Sequence, residues 1–89
     1  MSNTELLIKA LGWESGSRYE VSYATGLTVI EIMELDKITI DSHIAYNHGL
    51  RAMRWGVVDI SGCLAYRVCN YKPEQISFWR GVLDAQKVL

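Results

Sequence analysis

Proline occurs once in these 89 residues and cysteine twice, and no apolar run is long. With 49% apolar residues and a single proline, the chain has the composition of a folded domain and not of a disordered tail. No segment approaches the roughly 20 consecutive apolar residues that a membrane span requires. The opening Met-Ser-Asn-Thr-Glu has neither the basic region nor the apolar region of a signal peptide, so cytoplasmic residence is the expectation. Two cysteines exclude a disulfide framework. Cys63 and Cys69 are expected on one strand, where six residues at about 3.3 Å each place them beyond disulfide reach. His43 and His48 are five apart, which is not a same-face spacing on a helix, so no metal site is expected. No Gly-rich phosphate loop is present, and His43 has no companion whose spacing would make Cys63 or Cys69 a nucleophile. The chain therefore reads as neither an enzyme nor a cofactor carrier.

Net charge is also scarce, at −1, but it is unevenly distributed. Residues 1–41 hold three basic and seven acidic side chains, whereas residues 42–72 hold Arg51, Arg54, Arg67 and Lys72 against Asp59 alone. A basic middle suits a phosphate backbone. A total near zero argues against tight non-specific binding, which scales with the number of phosphates neutralised.

What is present is a succession of helix starts. Ser2-Asn3-Thr4-Glu5, Ser17-Arg18-Tyr19-Glu20 and Thr28-Val29-Ile30-Glu31 all have the Ser/Thr-x-x-Glu form of a capping box. The first predicts a helix over about 3–11, with Leu6, Leu7, Ala10 and Leu11 inside and a stop at Gly12. The second predicts a helix from Arg18 to Ala24. Alternation of Tyr19, Val21 and Tyr23 leaves a strand as the competing reading there. The third predicts a helix in which Val29, Ile32, Met33 and Leu35 recur inward, followed by a turn at Asp36-Lys37-Ile38.

A further helix is expected over 41–55, capped by Thr39 or Asp41. At 100° per residue, His43, Asn47, Arg51 and Arg54 fall within about 80° of one another. Ala45, Tyr46, Gly49, Ala52 and Met53 form the opposite, packing side. Guanidinium, amide and imidazole groups on one face are those that bond to base edges and phosphates in a major groove. Gly56 closes this helix. Val57–Ile60 and Leu64–Val68 then read as two strands around Ser61-Gly62-Cys63, with Ile60 facing Leu64 and Val58 facing Tyr66. Pro73 suits the first turn of a final helix over about 73–88. Ile76, Phe78, Trp79, Val82, Leu83 and Ala85 give that helix a wide apolar arc. The arc serves either the chain's own core or, with the first helix, a homodimer interface.

Three short helices followed by a hairpin resemble a winged helix-turn-helix domain. The likeness is carried by Gly26-Leu27-Thr28-Val29-Ile30-Glu31-Ile32, by Leu50-Arg51-Ala52-Met53-Arg54-Trp55-Gly56-Val57-Val58, and by Ser61-Gly62 through Tyr66-Arg67-Val68. It covers about residues 17–69 and is specific to the superfamily, not to one family. It implies a single mainly-α domain with a small β-hairpin (α+β), extended by helices at both ends. Function follows by the same resemblance: a small sequence-specific regulator of transcription that binds double-stranded DNA through the helix at 41–55. Ser42, His43 and Asn47 would then contact bases, and Arg51, Arg54, Arg67 and Lys72 would hold phosphates. Two features depart from the pattern. Gly49 lies inside the recognition segment, and the wing loop has no Lys or Arg at its tip. The acidic first half and the many aromatics support the alternative, an adaptor or small phage-type inhibitor that docks on a larger protein complex.

Overall fold

The computed structural model describes residues 1–54 and 65–88. Their elements are α1 (Asn3–Ala10), α2 (Arg18–Thr25), α3 (Val29–Met33), one 3-10 turn (Leu35–Lys37), α4 (His43–Arg54) and α5 (Lys72–Lys87). Residues 65–67 are helical as well, and no strand occurs among the described residues.

The α+β winged architecture is thereby corrected. Ala65, Tyr66 and Arg67 are helical where the second strand of the wing was expected. Trp55, Gly56, the first strand Val57–Ile60, the Ser61–Cys63 loop and Leu64 lie outside the described residues. Tertiary contacts override the β propensity of this stretch. The Tyr66 ring stacks on Phe78 of α5 with centroids 4.3 Å apart and planes 10° from parallel. Its hydroxyl meets Nδ1 of His48 on α4 at 2.5 Å. The Arg67 carbonyl accepts the side-chain amide of Gln75 at 3.1 Å. The Arg67 carbonyl, which a ladder would have paired, is thus met by α5 instead. Cys69 stands beside the start of α5, its Sγ 3.6 Å from Glu74 Oε2, and not on a strand.

The three helix starts are seen where the sequence places them, though only two are full capping boxes. Ser17 with Glu20, and Thr28 with Glu31, exchange both reciprocal bonds. Ser2 accepts the Glu5 N–H, but its hydroxyl turns to the Glu5 carboxylate and the return bond to the backbone is missing. α2 is therefore a helix and not a strand. Gly12 and Gly26 end α1 and α2 with φ of +78° and +76°, a backbone region that β-carbons disfavour.

α5 is the central element. Phe78, Trp79, Val82, Leu83 and Ala85 are buried, and Trp79 is fully enclosed. Around it gather Leu7, Ile8 and Ala10 of α1, Val21, Leu27, Ile32, Leu35, and Ala45 and Met53 of α4. Of the two readings of the terminal helices, packing within one chain accounts for this burial. Both terminal helices contribute to the chain's own core. Met33 departs from the expected inward set and is exposed, as is its neighbour on the same face, Ile30.

α4 lies along α5 at unusually close range. Its buried residues are Ala45, Gly49 and Met53, a stripe of one face at four-residue spacing. A β-carbon built on Gly49 would stand 2.0 Å from the Phe78 carbonyl oxygen, and one on Gly81 would stand 2.1 Å from the Tyr46 carbonyl oxygen. Each helix therefore uses a glycine to admit the other's backbone. The intrinsic cost of a mid-helix glycine, about 1 kcal/mol, is what this approach requires.

Candidate nucleic-acid interface

A local cap and two contacts with α5 fix α4 and aim its outer face. Ser42 accepts the Ala45 N–H on its hydroxyl at 3.3 Å, so it caps the helix in place of Thr39 or Asp41. The Ser42 N–H donates to Ser77 Oγ of α5 at 3.2 Å, and Ser77 is buried. In the first turn of the helix, the Tyr46 hydroxyl donates to Asp84 Oδ2 at 2.7 Å. That bond holds the Tyr46 proton and, with partial burial and the Asp84 charge, raises its pKa above the ordinary phenol value.

Asp84 is shared with Arg80. Arg80 Nε donates to Asp84 at 3.1 Å, while Nη1 reaches the carbonyls of Leu35 and Ile38 at 3.2 and 2.8 Å. One guanidinium thus ties the 3-10 turn, the chain entering α4 and α5 into a single unit. Arg80 and Gly81 were not among the sequence candidates. The glycine pair was the available signal, since each would be costly in a helix unless it faced something that excluded a side chain.

The opposite face of α4 is solvent-facing. His43, Asn47, Arg51 and Arg54 are all exposed. None of the four side chains takes part in a hydrogen bond or ion pair among the described residues. From His43 to Arg54, eleven rises of about 1.5 Å, the stripe runs about 16 Å along the axis. No acidic residue lies within α4, while Asp41, also exposed, precedes it. The groups expected to act together are therefore brought together at four of seven positions.

The other three are placed differently. Ser42 is half-buried and committed to capping. Lys72 pairs with Glu31 at 3.0 Å and donates to the Gly26 carbonyl at 2.9 Å, joining α5 to α2 and α3. Arg67 lies over the Tyr23 ring, 4.8 Å from its centroid, with its backbone against Gly26. Neither belongs to the α4 stripe. Among the described residues no group of three or more His, Cys, Asp or Glu could hold a metal ion, and no helix is long and apolar enough to cross a membrane.

No family model, no curated protein and no solved structure matches the chain.

Proposed function

We propose that this chain is a small DNA-binding protein that lays the outer face of α4 in a major groove, acting as a regulator of transcription. The observation that carries the reading is the exposure of His43, Asn47, Arg51 and Arg54 on one side of a helix anchored from behind. The major groove is wide enough to admit an α-helix, and amide and guanidinium groups match its donor and acceptor pattern. Asn47 and His43, nearer the N-terminal end, would face base edges. Arg51 and Arg54, in the last turns, would meet phosphates.

Fluorescence anisotropy with a labelled random-sequence duplex tests this. Two phosphate contacts predict that log K falls against log salt with a slope near about −1.8. Arg51→Ala/Arg54→Ala would abolish that slope and most of the low-salt affinity. Absence of duplex binding at low salt would sink the proposal and favour a protein partner. Exposed Ile44 on α4, together with Ile30 and Met33 on α3, is the feature that such a partner would use.

A further inference from the structure

A second surface, separate from the α4 stripe, has its own chemistry. Trp13, Tyr19, Glu20, Tyr23, Ala24 and Arg67 line a shallow groove of about 530 Å³ along α2. Tyr19 and Tyr23 are one helical turn apart and expose 66% and 75% of their surface. Each carries a guanidinium: Arg18 stands 5.4 Å from the Tyr19 ring centre, and Arg67 stands 4.8 Å from that of Tyr23. A stacked guanidinium keeps its N–H donors available in its own plane. Among the described residues neither Arg18 nor Arg67 pairs its guanidinium with a carboxylate. The one acid lining the groove, Glu20, is turned to the Ser17 N–H at 3.0 Å in its capping box.

We infer that this groove binds single-stranded nucleic acid, with bases stacked on Tyr19, Tyr23 and Trp13 and phosphates bonded to Arg18 and Arg67. The occupant must offer flat apolar faces and negative charge at short, regular intervals. A single strand supplies both, and aromatic side chains interleaved with cations are the recurrent means of holding one. A proline-rich peptide would use the rings but leave both guanidiniums without a counter-charge, so charge complementarity selects the nucleic acid.

The test is anisotropy of a fluorescein-labelled oligothymidylate of about twelve nucleotides, within the range that compact single-strand sites cover, against the full chain at low salt. Tyr19→Ala and Tyr23→Ala are each expected to weaken binding by about 5- to 150-fold, the usual worth of one base–aromatic stack. Tyr19→Phe/Tyr23→Phe keeps the rings and keeps the affinity. Arg18→Ala weakens binding and reduces its salt dependence. Because both tyrosines are exposed, the alanine variants fold, which circular dichroism verifies. Arg51→Ala/Arg54→Ala leaves oligothymidylate binding unchanged. Binding of the oligonucleotide in a chain that fails to bind duplex would thus separate this site from the α4 reading. The inference is overturned if the oligonucleotide does not bind, if the tyrosine-to-alanine changes have no effect, or if a polyproline peptide binds there and the oligonucleotide does not.

Discussion

Gly49 of α4 and Gly81 of α5 face each other across the helix crossing, with the Gly81 Cα 3.1 Å from where a Gly49 β-carbon would lie. On an exposed helix, replacing glycine with alanine stabilises by about 1 kcal/mol. Here the added methyl meets carbonyl oxygens of the neighbouring backbone at 2.0 and 2.1 Å, so the helices must move apart. Gly49→Ala and Gly81→Ala are each expected to destabilise by about 3 kcal/mol, the upper end of overpacking costs. Urea unfolding measures this. A stabilising alanine at either position would contradict the close crossing.

Arg80 is expected to carry more stability than any other surface-reaching cation of the chain. It satisfies the carbonyls of Leu35 and Ile38 and one carboxylate at once. Arg80→Met keeps the aliphatic stem and removes those bonds, at a cost of about 2–3 kcal/mol for hydrogen bonds to a charged group. Tyr46→Phe removes one partner of the same Asp84 and should cost about 1 kcal/mol. Because the two residues share Asp84, the double variant should depart from additivity.

Acid should loosen the junction of α2, α3 and α5. Partial burial pushes the Glu31 carboxyl upward, but the Thr28 N–H and the Lys72 ammonium together outweigh it and hold the group below its ordinary value of 4.5. The Asn3 side-chain amide does the same for Asp36, whose pKa is also lowered. A carboxyl with a depressed folded-state pKa stabilises the fold above its unfolded pKa, and that contribution disappears as pH falls through the folded value. Urea midpoints should therefore fall as the solution is taken from about pH 7 to about pH 3.5. Glu31→Gln and Lys72→Met should flatten the fall while lowering stability at neutral pH by about 0.5–1 kcal/mol, as suits a partly exposed pair.

Local signals in the sequence were strong wherever a helix begins. Ser17/Glu20 and Thr28/Glu31 need only residues three apart, and the geometry of their boxes is wholly local. The outer face of α4 was legible for a related reason, since helical periodicity alone decides that His43, Asn47, Arg51 and Arg54 share a side. The Ala65–Arg67 segment was not. Tyr66 and Val68 are β-prone residues in isolation, and what makes the segment helical is a ring stack with Phe78 and a bond to His48, twelve and eighteen residues away. Arg67 and Lys72 stand apart from the α4 stripe for a similarly long-range reason. Their partners, Tyr23 and Glu31, lie more than forty residues earlier in the chain, and nothing in a charge count shows that Arg67 is drawn to α2 or that Lys72 is already paired with an acid. Met33 fitted the apolar repeat but α3 ends with it, so the period no longer binds it to the core.

That division of the seven sequence candidates makes a sharper prediction than any single variant. Arg51 and Arg54 should behave as phosphate contacts, each alanine weakening duplex binding about equally for all sequences and lowering the salt slope by about 1. Asn47→Ala should act differently, lowering preference for one base pair by about 1–3 kcal/mol while leaving the salt slope unchanged. A selected high-affinity duplex is needed to read it, since a random pool averages the effect away. Lys72→Met should leave duplex affinity intact and lower the unfolding midpoint, because its ammonium is spent on Glu31 and the Gly26 carbonyl. Ser42→Ala should cost about 1 kcal/mol of stability through the lost cap, with no change in which sequence is preferred. If Lys72→Met instead weakened duplex binding as much as Arg51→Ala, the DNA-contacting surface would have to extend from α4 across the start of α5, and the helix could not be the sole reading element.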